Sequence, residues 1–157
     1  LTSERNRIVD QLERAFEGEA WHGPSVLESL EGVTWEEALQ KPIPQAHSIW
    51  EIVLHMTAWE GVVRRRLLGE SPGITDDENW PELENPGPPD WARALEGLRA
   101  GHMRLRETAA SVPDELLDSS PTGSPQSGHP LTRYVLLHGI IQHDLYHAGQ
   151  ISILKKG

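Results

Sequence analysis

Hydrophobic positions along the chain recur with a helical period rather than an alternating one. Over residues 2–17, Ile8, Leu12, Ala15 and Phe16 share one side of a helix and charged residues take the other, predicting an amphipathic helix that ends near Gly18. Pro24 is placed to open a short helical turn carrying Val26, Leu27 and Leu30. Thr34 and Glu37 have the Thr-x-x-Glu spacing of a capping box, in which each side chain satisfies an otherwise orphan amide at a helix start.

A second capping box, Ser48 with Glu51, begins the clearest element. Ile52, His55, Trp59 and Val62 or Val63 form one stripe, and the helix runs to Leu68, stopping at Gly69 with Pro72 beyond. Five prolines between residues 71 and 89 argue against a regular element and predict a connection wrapping the body, with Trp80 pinned against it. Asp90 is expected to cap a third long helix through Leu95, Leu98, His102, Leu105 and Ala109, ending before Pro113. Residues 119–130 are a loop by composition, and a last helix runs from about Leu131 to Leu154. Four long amphipathic segments without a strand pattern predict an all-α four-helix bundle with short extra helices and a long Pro-rich connection.

The 157 residues suit one domain spanning 1–157. The absence of cysteine excludes a disulfide scaffold, a thiolate metal site and a cysteine nucleophile, so any metal must be held by imidazole or oxygen. A net charge of -10 opposes nucleic acid, and Arg64-Arg65-Arg66, the only compact basic cluster, is too small to reverse that. No apolar run reaches the roughly 18 residues a membrane span needs, and the start of the chain lacks a leader pattern. The expectation is a cytoplasmic protein without nucleic-acid or membrane partners.

Charge and composition leave the histidines as the candidate chemistry. On the last helix Leu136, Ile140, His143, His147, Ile151 and Leu154 advance by three or four residues along one inward-facing stripe. Residues four apart stack on one helix face, so His143 and His147 can reach a single ion. His55 interrupts the stripe of the second long helix in the same way. Ligands on facing helices of a bundle can converge, which would give three imidazoles and an open position, the catalytic type of site.

A lone histidine on such a stripe is ordinarily a core group hydrogen-bonded to a carbonyl, and His55 by itself reads that way. Two adjacent buried imidazoles instead need two separate partners in one small volume. His47, beside the Ser48 cap, is a candidate for closing a pocket and handling protons, as is Glu51 beyond its capping duty. His22 lies in a rigid turn where Trp21 is a candidate anchor; His102 and His129 read as surface or packing groups. Asp144 points about 100° from His143 and is a poor co-ligand on the same helix, but it and Glu51 are candidates to place a carboxylate on the distal nitrogen of a ligating imidazole, raising its basicity.

The segments Ala46–Glu60, including His47, Trp50, His55 and Trp59, and His143–Ile151, reading His-Asp-Leu-Tyr-His-Ala-Gly-Gln-Ile, resemble the DinB/YfiT-like metalloenzyme superfamily. Glu19–Ser25 resembles one branch of it. The resemblance implies an up-down-down-up four-helix bundle, often a homodimer, with one divalent ion on three histidines that match His55, His143 and His147 here. It implies zinc, nickel, manganese or iron as the metal, and in several members an external low-molecular-weight thiol such as bacillithiol or mycothiol as co-substrate. The expected function is metal-dependent transfer of an external thiol to a small electrophile. Metal-dependent hydrolysis and a non-catalytic, metal-stabilised, stress-related binding protein are the alternatives.

Overall fold

The computed structural model describes residues 2–84, 86–121 and 131–156. Four long helices, α1 (Glu4–Glu17), α4 (Ile49–Leu67), α6 (Pro88–Ser111) and α7 (Arg133–Leu154), form the bundle core. Three short ones, α2 (Val26–Leu30), α3 (Trp35–Leu39) and α5 (Asp76–Asn79), decorate the connections, and a 3-10 turn at Asp114–Leu116 follows α6. Around the bundle α1 packs on α6 and α7, and α4 packs on the same two.

Helix directions follow from particular contacts. Trp50 and Trp91, near the starts of α4 and α6, meet at 5.1 Å between ring centroids, so these two helices run parallel. The carboxylate of Asp114, just past α6, accepts from the amides of Glu4 and Arg5 at the start of α1, so α1 and α6 are antiparallel. Ile52 near the start of α4 and Leu154 at the end of α7 line one cleft, so those two are antiparallel as well. The result is the up-down-down-up order that the resemblance implies.

Local chemistry sets the helix ends. The Thr34–Glu37 and Ser48–Glu51 capping boxes are both formed, and α4 ends at a left-handed Gly69, φ 88°, a conformation that side chains with a Cβ resist. Three boundaries differ from the sequence reading. Ser25 rather than Pro24 caps α2, with Glu28 completing the box. Helix α6 begins at Pro88, capped by Gly87, because prolines are welcome in a first turn whose amides have no intrahelical partner; Asp90 lies inside the helix and accepts from the Gly87 amide. Thr132 caps α7, which starts at Arg133. The Pro-rich connection also contains the helical turn α5, with its own Thr75–Glu78 capping box. Of the loop expected at 119–130, residues 122–130, including His129, lie outside the described residues.

The core falls into two apolar regions. One gathers Phe16, Trp50, Val53, Met56, Trp91, Leu98, Ala148 and Ile151; the other gathers Ile8, Leu12, Val63, Leu105, Leu137 and Ile141. Between them, each of three long helices contributes a buried polar residue: Glu60 on α4, His102 on α6 and Asp144 on α7. No helix among the described residues is long and apolar enough to cross a membrane.

Candidate metal centre

Among the described residues, two groups of side chains bring ligand atoms within 4.8 Å of one another, close enough to hold a divalent metal ion: His55, His143 and His147, and Glu60, His102 and Asp144. In the first group α4 and the antiparallel α7 present their imidazoles to each other. The ring centroids are 5.0 Å apart for His55 and His143, 4.8 Å for His55 and His147, and 4.4 Å for His143 and His147. His55 and His147 are buried and His143 is half-buried.

Neighbouring groups decide which nitrogen carries the proton. The backbone carbonyl of Asn79 can only accept, so His55 Nδ1, 3.0 Å away, donates to it, and in the neutral ring Nε2 is left with a lone pair. Gln150 Oε1, 2.6 Å from His147 Nδ1, holds the second imidazole in the same tautomer. His55 Nε2 faces His143 Nε2 at 3.0 Å. Burial pushes the His147 value down to about 4, helped by the nearby His143 and opposed by the Gln150 bond. Burial likewise lowers His55, the Asn79 carbonyl working the other way. Both rings are therefore neutral at pH 7, the form that binds a metal, and each has its second nitrogen anchored as ligating histidines usually do. The donor set fits a divalent cation.

Asn79 and Trp80, at the end of α5, build one wall. Besides its carbonyl on His55, Asn79 accepts from Trp59 Nε1 through Oδ1 at 2.8 Å. The Trp80 ring stacks on His55 at 4.0 Å and on His47 at 3.4 Å, nearly parallel to both. Trp80 is thus pinned against the body as its sequence position suggested. The contribution of Asn79 was not legible, because a backbone carbonyl has no sequence signature.

Beside the three histidines a cleft of about 340 Å³ is lined by His47, Ile52, Trp80, Tyr146, His147 and Gln150 among others, with no Lys, Arg, Asp or Glu among the described residues of its wall. His47 stands at its exposed side with Nδ1 3.6 Å from Glu51 Oε2. Glu51 is already engaged: Lys41 Nζ donates to Oε1 at 2.8 Å and the Ser48 amide to Oε2 at 2.7 Å. Partial burial pushes its carboxyl up, but those two bonds and the Lys41 charge outweigh it and hold the group below its ordinary range. His22 and Trp21 are exposed and are not among the residues lining the cleft, so Trp21 is not packed against the described residues.

The sequence model of the DinB superfamily matches residues 21–151, from the turn before α2 almost to the end of α7. The chain belongs to the DinB superfamily. The matched stretch holds every residue of both buried clusters and of the cleft wall except Ile153 and Leu154. No curated protein and no solved structure gives a significant match to this DinB chain.

Other buried polar residues escaped the sequence reading. His102 is a packing group, as expected, since its ring stacks on Phe16 at 3.7 Å, but it also meets Glu60 in the core. Asp144, about 100° round the helix from His143, still has Oδ1 3.7 Å from His143 Nδ1, and it enters that same core group. The available signal was a further polar residue, besides the three histidines, within the apolar pattern of each of α4, α6 and α7.

Proposed function

We propose that this DinB-superfamily protein binds one divalent metal ion, zinc or nickel in preference to manganese or iron, through His55, His143 and His147. We infer that it is an enzyme transferring an external low-molecular-weight thiol to a small electrophile. The observation that carries this reading is the convergence of three imidazoles, two of them neutral and locked through Nδ1, beside an apolar cleft. When bound, such an ion would supply Lewis acidity that keeps an incoming thiol deprotonated near neutral pH.

The chain's own residues supply the rest. The Asn79 carbonyl and Gln150 hold two imidazoles in the ligating tautomer. Trp80, with one face on His55 and the other on His47, fixes the plane of His55 and contributes an apolar part of the cleft wall. The uncharged lining favours a neutral, largely apolar electrophile of modest size. His47, at the open side, is placed to take or return a proton, and Glu51 orients it through their 3.6 Å contact. Because the chain has no cysteine, the nucleophilic sulfur comes from a second substrate.

The test combines elemental analysis with turnover of a neutral chloronitroarene probe in the presence of added thiols. One equivalent of metal lost in His147→Ala, with a rate that rises with thiol and disappears in the same variant, is the expected outcome. Turnover that persists unchanged without thiol would replace thiol transfer by hydrolysis. A folded wild-type protein that leaves these three histidines free of metal would end the reading altogether.

A further inference from the structure

We propose that Glu60, His102 and Asp144 hold a second divalent cation, a structural one, separate from the three-histidine site and independent of any catalytic role assigned to it. The three side chains come from α4, α6 and α7 and meet in the layer that divides the two apolar regions; their exposures are 0%, 1% and 0%. One ligand atom from each lies within 4.8 Å of the others, the span available to a single ion with ligand distances of about 2.0–2.4 Å.

The polar atoms of this layer are poorly satisfied by one another. His102 Nδ1 and Glu60 Oε1 are 3.0 Å apart, but Glu60 Oε2, His102 Nε2 and both carboxylate oxygens of Asp144 have no hydrogen-bond partner among the described residues. The nearest nitrogen recorded for Asp144 is His143 Nδ1 at 3.7 Å, too long for a hydrogen bond, and that buried nitrogen is likewise without a partner among the described residues. No lysine or arginine among the described residues pairs with either carboxylate. Buried polar groups are almost always partnered, so four such atoms in one small volume point to a missing central partner.

Protons alone serve this layer badly. A proton shared between Asp144 and Glu60 would satisfy at most one oxygen of each, and would leave His102 Nε2 and the second Asp144 oxygen unmet. A divalent cation neutralises both carboxylates and takes lone pairs from all three residues. Residue 101 is also telling: a Cβ there would lie 3.0 Å from Glu60 Oε2, so glycine leaves the carboxylate its room on the facing helix.

Two carboxylates and one imidazole make a harder donor set than three imidazoles, favouring Mn²⁺ here over the softer cations suited to the histidine site. With all three ligands inaccessible, the ion enters as the helices pack and leaves only when they part.

The 157-residue chain is expressed with added Mn²⁺, and total metal per chain is counted by mass spectrometry before and after dialysis against EDTA under native conditions. The wild type is expected to hold two ions before dialysis and one after. His55→Ala/His147→Ala should hold one ion throughout, and Glu60→Gln should hold none after dialysis. A wild type that never exceeds one ion and loses it to EDTA overturns the proposal. So does a Glu60→Gln variant that retains as much metal as the wild type. Should Glu60→Gln fail to fold, the double-histidine variant decides alone: folded by circular dichroism and free of metal, it refutes a second site.

Discussion

Gln150→Ala offers a sharp probe of the three-histidine centre, because it removes one hydrogen bond without touching a proposed ligand. Gln150 sits three residues after His147 on α7, and its Oε1 is the partner of His147 Nδ1. Without it, His147 can carry its proton on either nitrogen, so only part of the population presents the Nε2 lone pair, and the ring is less basic. Loss of such an outer partner typically weakens metal binding 10- to 100-fold, equivalent to about 1.4–2.7 kcal/mol. The fold itself should be little affected, since alanine is at least as good a helix former as glutamine.

The assay is a competition titration of metal-free protein against a chromophoric chelator with Zn²⁺, with a thermal melt by circular dichroism as the control. Gln150→Glu provides the counterpart. A carboxylate at the same place restores the acceptor and increases the basicity of the imidazole, so affinity should return to at least the wild-type level. A folded Gln150→Ala protein binding Zn²⁺ within twofold of wild type would show that His147 Nδ1 is not anchored by this contact, and the argument for the ligating tautomer would fail at that residue.

Two further outcomes test the surrounding framework. Glu51 is held below its unfolded value of 4.5, so the stability it lends is complete above that pH and is lost as pH falls through the lower folded value; Glu51→Gln should remove this acid-limb dependence from urea midpoints, and an unchanged pH profile would contradict it. Asp114 caps α1 from across the bundle, and Asp114→Ala should lower unfolding stability by about 0.5–2 kcal/mol, measured by chemical denaturation, whereas a loss of under a few tenths would mean that the two amides find water equally well.

Much of the architecture was legible from periodicity and end signals. The stripes of α1, α4, α6 and α7 predicted the bundle, and the Thr34 and Ser48 boxes located two helix starts to the residue. Errors concentrated where proline was read as a breaker: Pro88 and Pro89 begin α6, and the stretch between Pro72 and Pro81 accommodates α5. A proline forbids helix only where its amide is needed, which the sequence does not announce.

The sequence by itself determined that His143 and His147 share a helix face and that His55 lies on the buried stripe of another helix, because both statements depend only on the 3.6-residue period. Which helices are neighbours, and in which direction they run, belongs to the tertiary structure. The antiparallel packing of α4 and α7 turns three separate imidazoles into one group, and the parallel packing of α4 and α6 carries Glu60 to His102. The carbonyl of Asn79, the ring of Trp80 between two histidines, and the meeting of Asp144 with Glu60 join residues 20 to 90 positions apart. Side-chain pattern encodes the face a residue occupies, and only packing selects what that face meets.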